Sequence, residues 1–264
     1  MNKPLDESIG KPAQSRDAVG GAQIKPTGRA HMDESRWEKI EQNLKTIGGA
    51  VLLALVIRTC LFEAFEIEGP SMEPTLLNGD RVVVAKFMYG LFLPLRDQAD
   101  LNWGGPDVGN VVIIKSPLDG VDIVKRVIGV AGDTIEVRDN IVYRNGKALP
   151  NEDKGPCVAG FGARNDTMHR CRIYESKVGD RVFRISAARD AMDPMPTHVP
   201  EGHIYVLGDH RDSSNDSRNP GVGAIPVTRV KGRALSIYWS TGELGFFGEG
   251  LEGFRSDRMF KSVQ

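Results

Sequence analysis

The polarity of this chain changes abruptly along its length. Residues 1–31 are polar, with scattered Lys, Gly and Pro and no hydrophobic period. Such a stretch has too little apolar surface to offset the entropy of ordering, so 1–34 is expected to be a disordered tail. Ser35 and Glu38 then have the spacing of a capping box, which predicts a helix start. Trp37, Ile40, Leu44 and Ile47 fall on one helical face and lead into Ile47–Ile57, a run without a polar side chain. From Leu44 to Phe62 there are 19 residues, about 28 Å of helix against a hydrocarbon core of about 30 Å. With its lead-in, 35–65 reads as one transmembrane helix. Arg58 lies one turn from its far end, where a long cationic side chain can snorkel to the interface. A buried helix of a soluble protein is the competing reading. A cleavable secretory signal fits less well, because more than forty residues precede the apolar core and no clear A-x-A site follows it. Arg29, Arg36, Lys39 and Lys45 precede the segment, and only Arg81 lies within twenty residues after Phe65. That bias places the N-terminus in the cytoplasm and the rest of the chain outside, as in a signal anchor.

After Phe65 the pattern shortens to strands. Arg81–Ala85, Val111–Lys115, Asp122–Val130, Thr134–Val137, Ile141–Arg144 and His203–Leu207 are β-branched runs between Gly, Pro, Asn and Asp, and each predicts a strand. Asn145-Gly146 between Ile141–Arg144 and Lys147–Leu149 (KAL) predicts a hairpin turn. No helical period longer than two turns follows the anchor, and there is no internal repeat. The expectation is a mainly β external body over 66–137 and 200–264, interrupted by a less regular inserted subdomain over 138–199. Cys157 and Cys171 both lie in the insertion. An oxidising compartment would let them pair and close a loop worth about 3 kcal/mol; two unpaired thiols are the other reading. Cys60, in the apolar segment, is most simply packing.

Composition narrows the function classes. In 264 residues, 34 Lys and Arg stand against 35 Asp and Glu, so no basic excess argues for a nucleic-acid partner. Three Cys are too few for a disulfide scaffold, and their spacing is no zinc pattern.

Three segments carry candidate chemistry. In Glu68–Leu76, EGPSMEPTL, Gly and Pro put Ser71 on a constrained turn before a strand, a way to present a hydroxyl to a groove. Taken alone it is an ordinary turn. In Asp122–Asp133, DIVKRVIGVAGD, alternation puts Lys125 on one face with Ile123 and Val127. Apolar surroundings lower a lysine pKa by several units; taken alone, the side chain could equally snorkel out of the strand. Gly208–Arg218, GDHRDSSNDSR, is a polar loop directly after an apolar strand. It reads either as a cation site or as an ion-paired turn, and its acids lack EF-hand spacing.

Together and in this order behind an anchor, the three segments resemble bacterial type I signal peptidases. SMEPTL at Ser71–Leu76 resembles that family's nucleophile box, KRVIGVAGD at Lys125–Asp133 its general-base box, and GDHRDSSNDSR its G-D-N-R-D-N-S-x-D-S-R loop. GAIP at Gly223–Pro226 and VKGRA at Val230–Ala234 resemble the stretch that follows. The resemblance implies a mainly β fold shared with self-cleaving repressors, with an inserted β subdomain and one N-terminal transmembrane helix. It implies a membrane-bound serine endopeptidase that removes signal peptides after small-x-small sites, without metal or organic cofactor. Ser71 would be the nucleophile and neutral Lys125 the general base. Ser214 would hydrogen-bond the lysine amine, and Asp216, Arg218 and Arg126 would form an ion-paired frame. Phe65, Ile67, Met72, Leu76, Val82, Asp122, Ile123 and Val124 would bind substrate, in pockets that reject large side chains at positions −3 and −1. The partners implied are secretory preproteins and membrane lipid, near the secretion translocon, with no nucleic acid. The place implied is the bacterial cytoplasmic (inner) membrane, single-pass, with the catalytic body on the periplasmic side.

This chain departs from the family pattern at Gly69, where many members have a serine that assists the oxyanion. His210 and Ser213 replace asparagines of the loop, and Asn110 replaces an aspartate before the VVIIK strand. Competing readings are another Ser/Lys protease of the same fold, a triad of Ser71 with His203 or His210 and an Asp, and an inactive peptide-binding module. No G-x-S-x-G elbow surrounds Ser71, and both Ser71 and Lys125 are present.

Overall fold

The computed structural model describes residues 34–56, 61–91, 98–99, 101–157, 171–188, 195–242 and 253–263. Helix α1 spans Glu34–Val56, starting one residue before the predicted Ser35. Its side chains Leu44, Ile47, Val51, Leu52 and Leu53 are exposed. Among the described residues, no helix is long and apolar enough to cross a membrane. The first half of α1 is polar, with a Lys45–Glu41 ion pair on its surface, and residues 57–60, with Arg58, lie outside the described ones. The expected tail lies outside them as well, apart from Glu34.

One boundary of the predicted membrane segment is corrected. Phe62–Glu66 is strand β1, with alternating exposure. Its backbone finds partners along β2 (Asp80–Ala85), with Phe65 opposite Val82. Pairing all five residues against the edge of β2 gives this segment ladder hydrogen bonds that outweigh continuing the helix.

The remaining strands follow in chain order. They are β3 (Gly90–Leu91), β4 (Leu101–Asn102), β5 (Val111–Lys115), β6 (Asp122–Val130) and β7 (Thr134–Arg138). Next come β8 (Ile141–Arg144), β9 (Lys147–Ala148), β10 (Asn151–Pro156), β11 (Arg172–Val178) and β12 (Arg181–Ala187). The last are β13 (Thr197–His198), β14 (His203–Leu207), β15 (Ile225–Pro226) and β16 (Val230–Ser240). A seven-stranded sheet of order β1-β2-β16-β5-β6-β14-β15 forms the main layer, and its neighbours all pair antiparallel. VVIIK in β5 is buried on both faces except at its last residue, as suits a continuous apolar run in a central strand. The eleven-residue β16 escaped prediction. Bulges interrupt its register at three places, and each bulge breaks the two-residue alternation that marks a strand in sequence.

Smaller sheets of order β13-β7-β8-β9 and β10-β11-β12 accompany the main one. β7 ends at residue 138, where the insertion was expected to begin, and pairs directly with β8. Asn145 and Gly146 both take positive φ, 54° and 77°, which is the turn that closes β8 onto β9. Ile135, Val137, Phe183 and Ile185 from the smaller sheets share an apolar cluster with Ile128, Tyr205 and Leu207 of the main sheet. A second cluster, with Ile67, Met72, Leu76, Val82 and Ile113, lies under the turn that carries Ser71. Cys157 and Cys171 are joined by a disulfide and also share a backbone hydrogen bond of 2.9 Å, which closes the end of the β10–β11 pair.

Candidate active site

The turn that carries Ser71 is held from below. Met72 and Leu76, one helical turn apart, are 1% and 0% exposed, and Leu76 N–H donates to the Met72 carbonyl at 2.9 Å. Burying these two side chains anchors the turn by roughly 1.5–3 kcal/mol each and leaves the half-buried Ser71 on its upper side. Glu73 N–H donates to the Pro70 carbonyl, and His210 N–H donates to that of Ser71 at 3.1 Å. Asn78 Oδ1 accepts from Gly69 N–H, and the Asp80 carboxylate accepts from Leu77 N–H.

Lys125 arrives from β6. Its register partner is Val112 of β5, and its neighbours by alternation, Ile123 and Val127, belong to an apolar cluster. The side chain is 3% exposed. Its Nζ lies 2.9 Å from Ser71 Oγ and 2.9 Å from the Val124 carbonyl oxygen. Burial pushes the amine down from 10.5 to about 8; the carboxylates of Asp216 and Asp209 partly oppose the shift, and Arg218 adds to it.

Ser71 and Lys125 lie in a groove of about 460 Å³ that also touches Phe65, Ile67, Met72, Asp122, Ile123 and Val124. These are six of the eight expected substrate residues. The other two, Leu76 and Val82, are fully buried in the cluster under the turn and do not line the groove. They form its foundation, because β2 and the turn both pack inward there. Glu66, Glu68 and Val121 line the groove and were not singled out from sequence.

The loop after β14 is an ion-paired turn. Arg218 clasps Asp216 at 2.8 and 2.9 Å, and Asp216 also accepts from Gly208 N–H at 2.9 Å. Burial alone would raise the Asp216 carboxyl, but the Arg218 guanidinium and the Gly208 N–H hold it below its ordinary value. Arg126 does not join this pair as expected. It clasps Asp209 at 2.8 and 2.7 Å, with both side chains at most 1% exposed. Arg126 also donates to the Gly109 carbonyl and stacks 4.0 Å from the Phe183 ring, and Thr75 Oγ1 donates to Asp209. Asp209, Thr75 and Phe183 were missed from sequence. The only signal for Asp209 was its place in the GDHRD run.

Ser214 is also corrected. Lys125 Nζ bonds Ser71 Oγ and the Val124 carbonyl, and Ser214 Oγ makes no hydrogen bond with it. The hydroxyl is buried beside Asp216, close enough to help hold that carboxyl down but without full hydrogen-bond geometry. A triad is not formed either. The ring Nδ1 of His210 lies 3.9 Å from Glu73 Oε2, and His203 Nδ1 contacts the Glu201 carbonyl.

Gly208 is where the nucleophile turn and the loop meet. A Cβ there would stand 2.2 Å from Ser214 Oγ and 2.5 Å from the Ser71 carbonyl oxygen. Gly208→Ala should therefore cost about 1–3 kcal/mol and displace Ser71, lowering kcat more than it raises KM. Urea unfolding with parallel kinetics checks this, and wild-type values in both would show that the two segments yield freely.

From β12, Ser186 Oγ donates to the Glu73 carbonyl and Ser186 N–H to that of Asp209. Strand β12 thus braces the nucleophile turn and the loop at once.

Residues 40–239 match the family described as Signal peptidase, peptidase S26. The chain is 32% identical over 209 residues to signal peptidase I of Pseudomonas fluorescens, covering 74% of this chain and 71% of the other. It is 33% identical over 201 residues to signal peptidase I of Bacillus licheniformis, covering 76% and 89%. Against the enzyme of the same name from Pseudomonas aeruginosa, identity is 31% over 209 residues, covering 74% and 71%.

Proposed function

This chain belongs to the signal peptidase family, peptidase S26, and is a signal-peptide-cleaving serine peptidase; we propose that Ser71 is its nucleophile and neutral Lys125 its general base. The observation that carries the reading is the 2.9 Å approach of Lys125 Nζ to Ser71 Oγ beside an apolar groove. A protonated amine cannot accept a proton. With its pKa near 8, roughly a tenth of the amine is neutral at pH 7, against about one part in 3,000 for an unperturbed lysine.

Ser71 Oγ attacks the scissile carbonyl carbon while its proton moves to Lys125 Nζ. The Ser71 N–H meets the oxyanion; Pro70 has no N–H to offer. The lysine then protonates the leaving amine as the C–N bond breaks, and the acyl group stays on Ser71. Water, deprotonated by the same amine, releases it as a carboxylate. Asp216 with Arg218, and Asp209 with Arg126, keep the frame still.

The substrate is a secretory preprotein whose cleavage segment lies extended in the groove. Phe65, Ile67, Met72, Ile123 and Val124 accept small side chains at −3 and −1, and Asp122 flanks them. In the same reading 66–137 and 200–264 form the catalytic body and 138–199 an insertion that braces it. The apolar run that α1 begins anchors the chain in the bacterial cytoplasmic membrane, N-terminus inside, near the translocon. The exposed apolar side chains of α1, the basic residues before them and a disulfide suited to an oxidising compartment support that placement.

Because the base must be neutral, kcat/KM on a peptide with an A-x-A site should rise about tenfold per pH unit on the acid side and level off above about 8. Initial rates from pH 6 to 10 test it. A flat profile would remove Lys125 from the role.

A further inference from the structure

We infer that Glu68 is a specificity-determining residue, favouring substrates with a cationic side chain at position −2 or +1 of the cleavage site. This rests on the peptidase reading above and adds to it a charge preference. Three acids line the groove: Glu66, Glu68 and Asp122. Two of them are neutralised in place. Arg81 binds the Glu66 carboxylate at 3.1 Å, and Lys231 and Lys115 approach that of Asp122 at 2.8 and 3.5 Å. Glu68 has no ion-pair or hydrogen-bond partner among the described residues, and it is exposed.

Its place on the rim is set by the backbone. Ile67 exchanges hydrogen bonds with Asp80 and Gly79, at 2.8 and 2.9 Å, so the chain stays extended past the end of β1 and its alternation continues. Phe65 and Ile67 fall on one side and Glu66 and Glu68 on the other, with Ile67 at 2% exposure. The extension stops at Gly69, whose φ is 84° and whose N–H is held by Asn78. An extended substrate alternates in the same way. With −3 and −1 turned into the groove, −2 and +1 point outward, towards the rim where Glu68 stands. Solvent screens an exposed carboxylate, so the preference is modest: about two- to fivefold for Lys over Glu.

The test uses the full-length chain in detergent and peptides that share one A-x-A site, with Lys, Ala or Glu at −2 and, separately, at +1. The wild type should show a Lys-to-Glu ratio of kcat/KM of about two to five in at least one series, shrinking towards one in 1 M NaCl. Glu68→Gln should bring the ratio close to one, and Glu68→Lys should invert it. Because the readout is a ratio, a general change in activity or folded fraction cancels. A wild-type ratio of one, or a ratio unchanged in both variants, would overturn the inference and leave the peptidase reading standing. No cleavage of any peptide by the wild type would overturn both.

Discussion

Lys125→Met is expected to lower signal-peptide cleavage on the order of 10⁴-fold or more while making the folded chain more stable. Ser71→Ala should be equally inactive, and so should Lys125→Arg, because a guanidinium stays protonated. The stability gain follows from burial. Folded Lys125 titrates near 8 and an unfolded lysine near 10.5, so below 8 both states bind the proton and the folded state carries the full cost of burying the charge. Between 8 and 10.5 the unfolded chain binds more protons, and wild-type stability rises with pH. Methionine fills nearly the same space without the charge. Allowing for the lost bonds to Ser71 and Val124, it should gain about 1–3 kcal/mol at pH 7, and the gain should shrink as pH passes 8. Urea unfolding at pH 7 and pH 10, with mass spectrometry of a digested preprotein, reads both effects. A Lys125→Met chain that still cuts at the A-x-A site would end the dyad assignment. One that is less stable at pH 7 would show that the lysine is not charged and strained in the folded state.

Asp209→Ala should be the most damaging substitution outside the dyad. It leaves Arg126 fully buried with its strongest partner gone, a loss of about 3–5 kcal/mol, which is a large share of the 5–15 kcal/mol typical of a folded domain. Thr75 on the nucleophile turn is tied to the same carboxylate, so activity should fall along with the denaturation midpoint. Arg126→Met combined with Asp209→Leu should recover much of the stability, because a buried ion pair often breaks even against apolar side chains of similar volume. It should not recover full activity, because Thr75 loses its acceptor. A single Asp209→Ala change costing under about 1 kcal/mol would mean that water reaches Arg126 and that the pair is not a keystone of the site.

Several elements could be read directly. Val111–Lys115, Asp122–Val130, Ile141–Arg144 and His203–Leu207 have the predicted bounds, because each is a compact β-branched run between turn residues. Asn145-Gly146 announced its turn, since few other pairs take two positive φ values cheaply. Ser71 and Lys125 each sat in a suggestive local setting, a rigid turn and an apolar strand, but only the resemblance carried by three segments in order singled them out as a pair. β1 was absorbed into the membrane segment because Cys60, Leu61 and Phe62 carry apolar residues right up to it, and β16 was lost to its bulges.

The carboxylate partners were not legible for a different reason. Asp216 meets Arg218 two residues away, which is local geometry. Arg126 meets Asp209 across 83 residues, and that pairing depends on β14 lying beside β6 with Leu207 opposite Arg126, which carries Asp209 into reach two residues later. The same holds for Leu76 and Val82, whose apolar character said that they would be buried but not on which side of the groove floor. By itself the sequence determined the strand-rich character of the body, the tight turn at Ser71 and the apolar flank that lowers the pKa of Lys125. All three are set by short-range sterics and by solvation within a few residues. Only the tertiary structure decided which acid neutralises which base, and which of the acids at the groove is left without a partner. Those outcomes depend on strand register and packing between segments far apart in the chain, where a shift of one residue would exchange the partners.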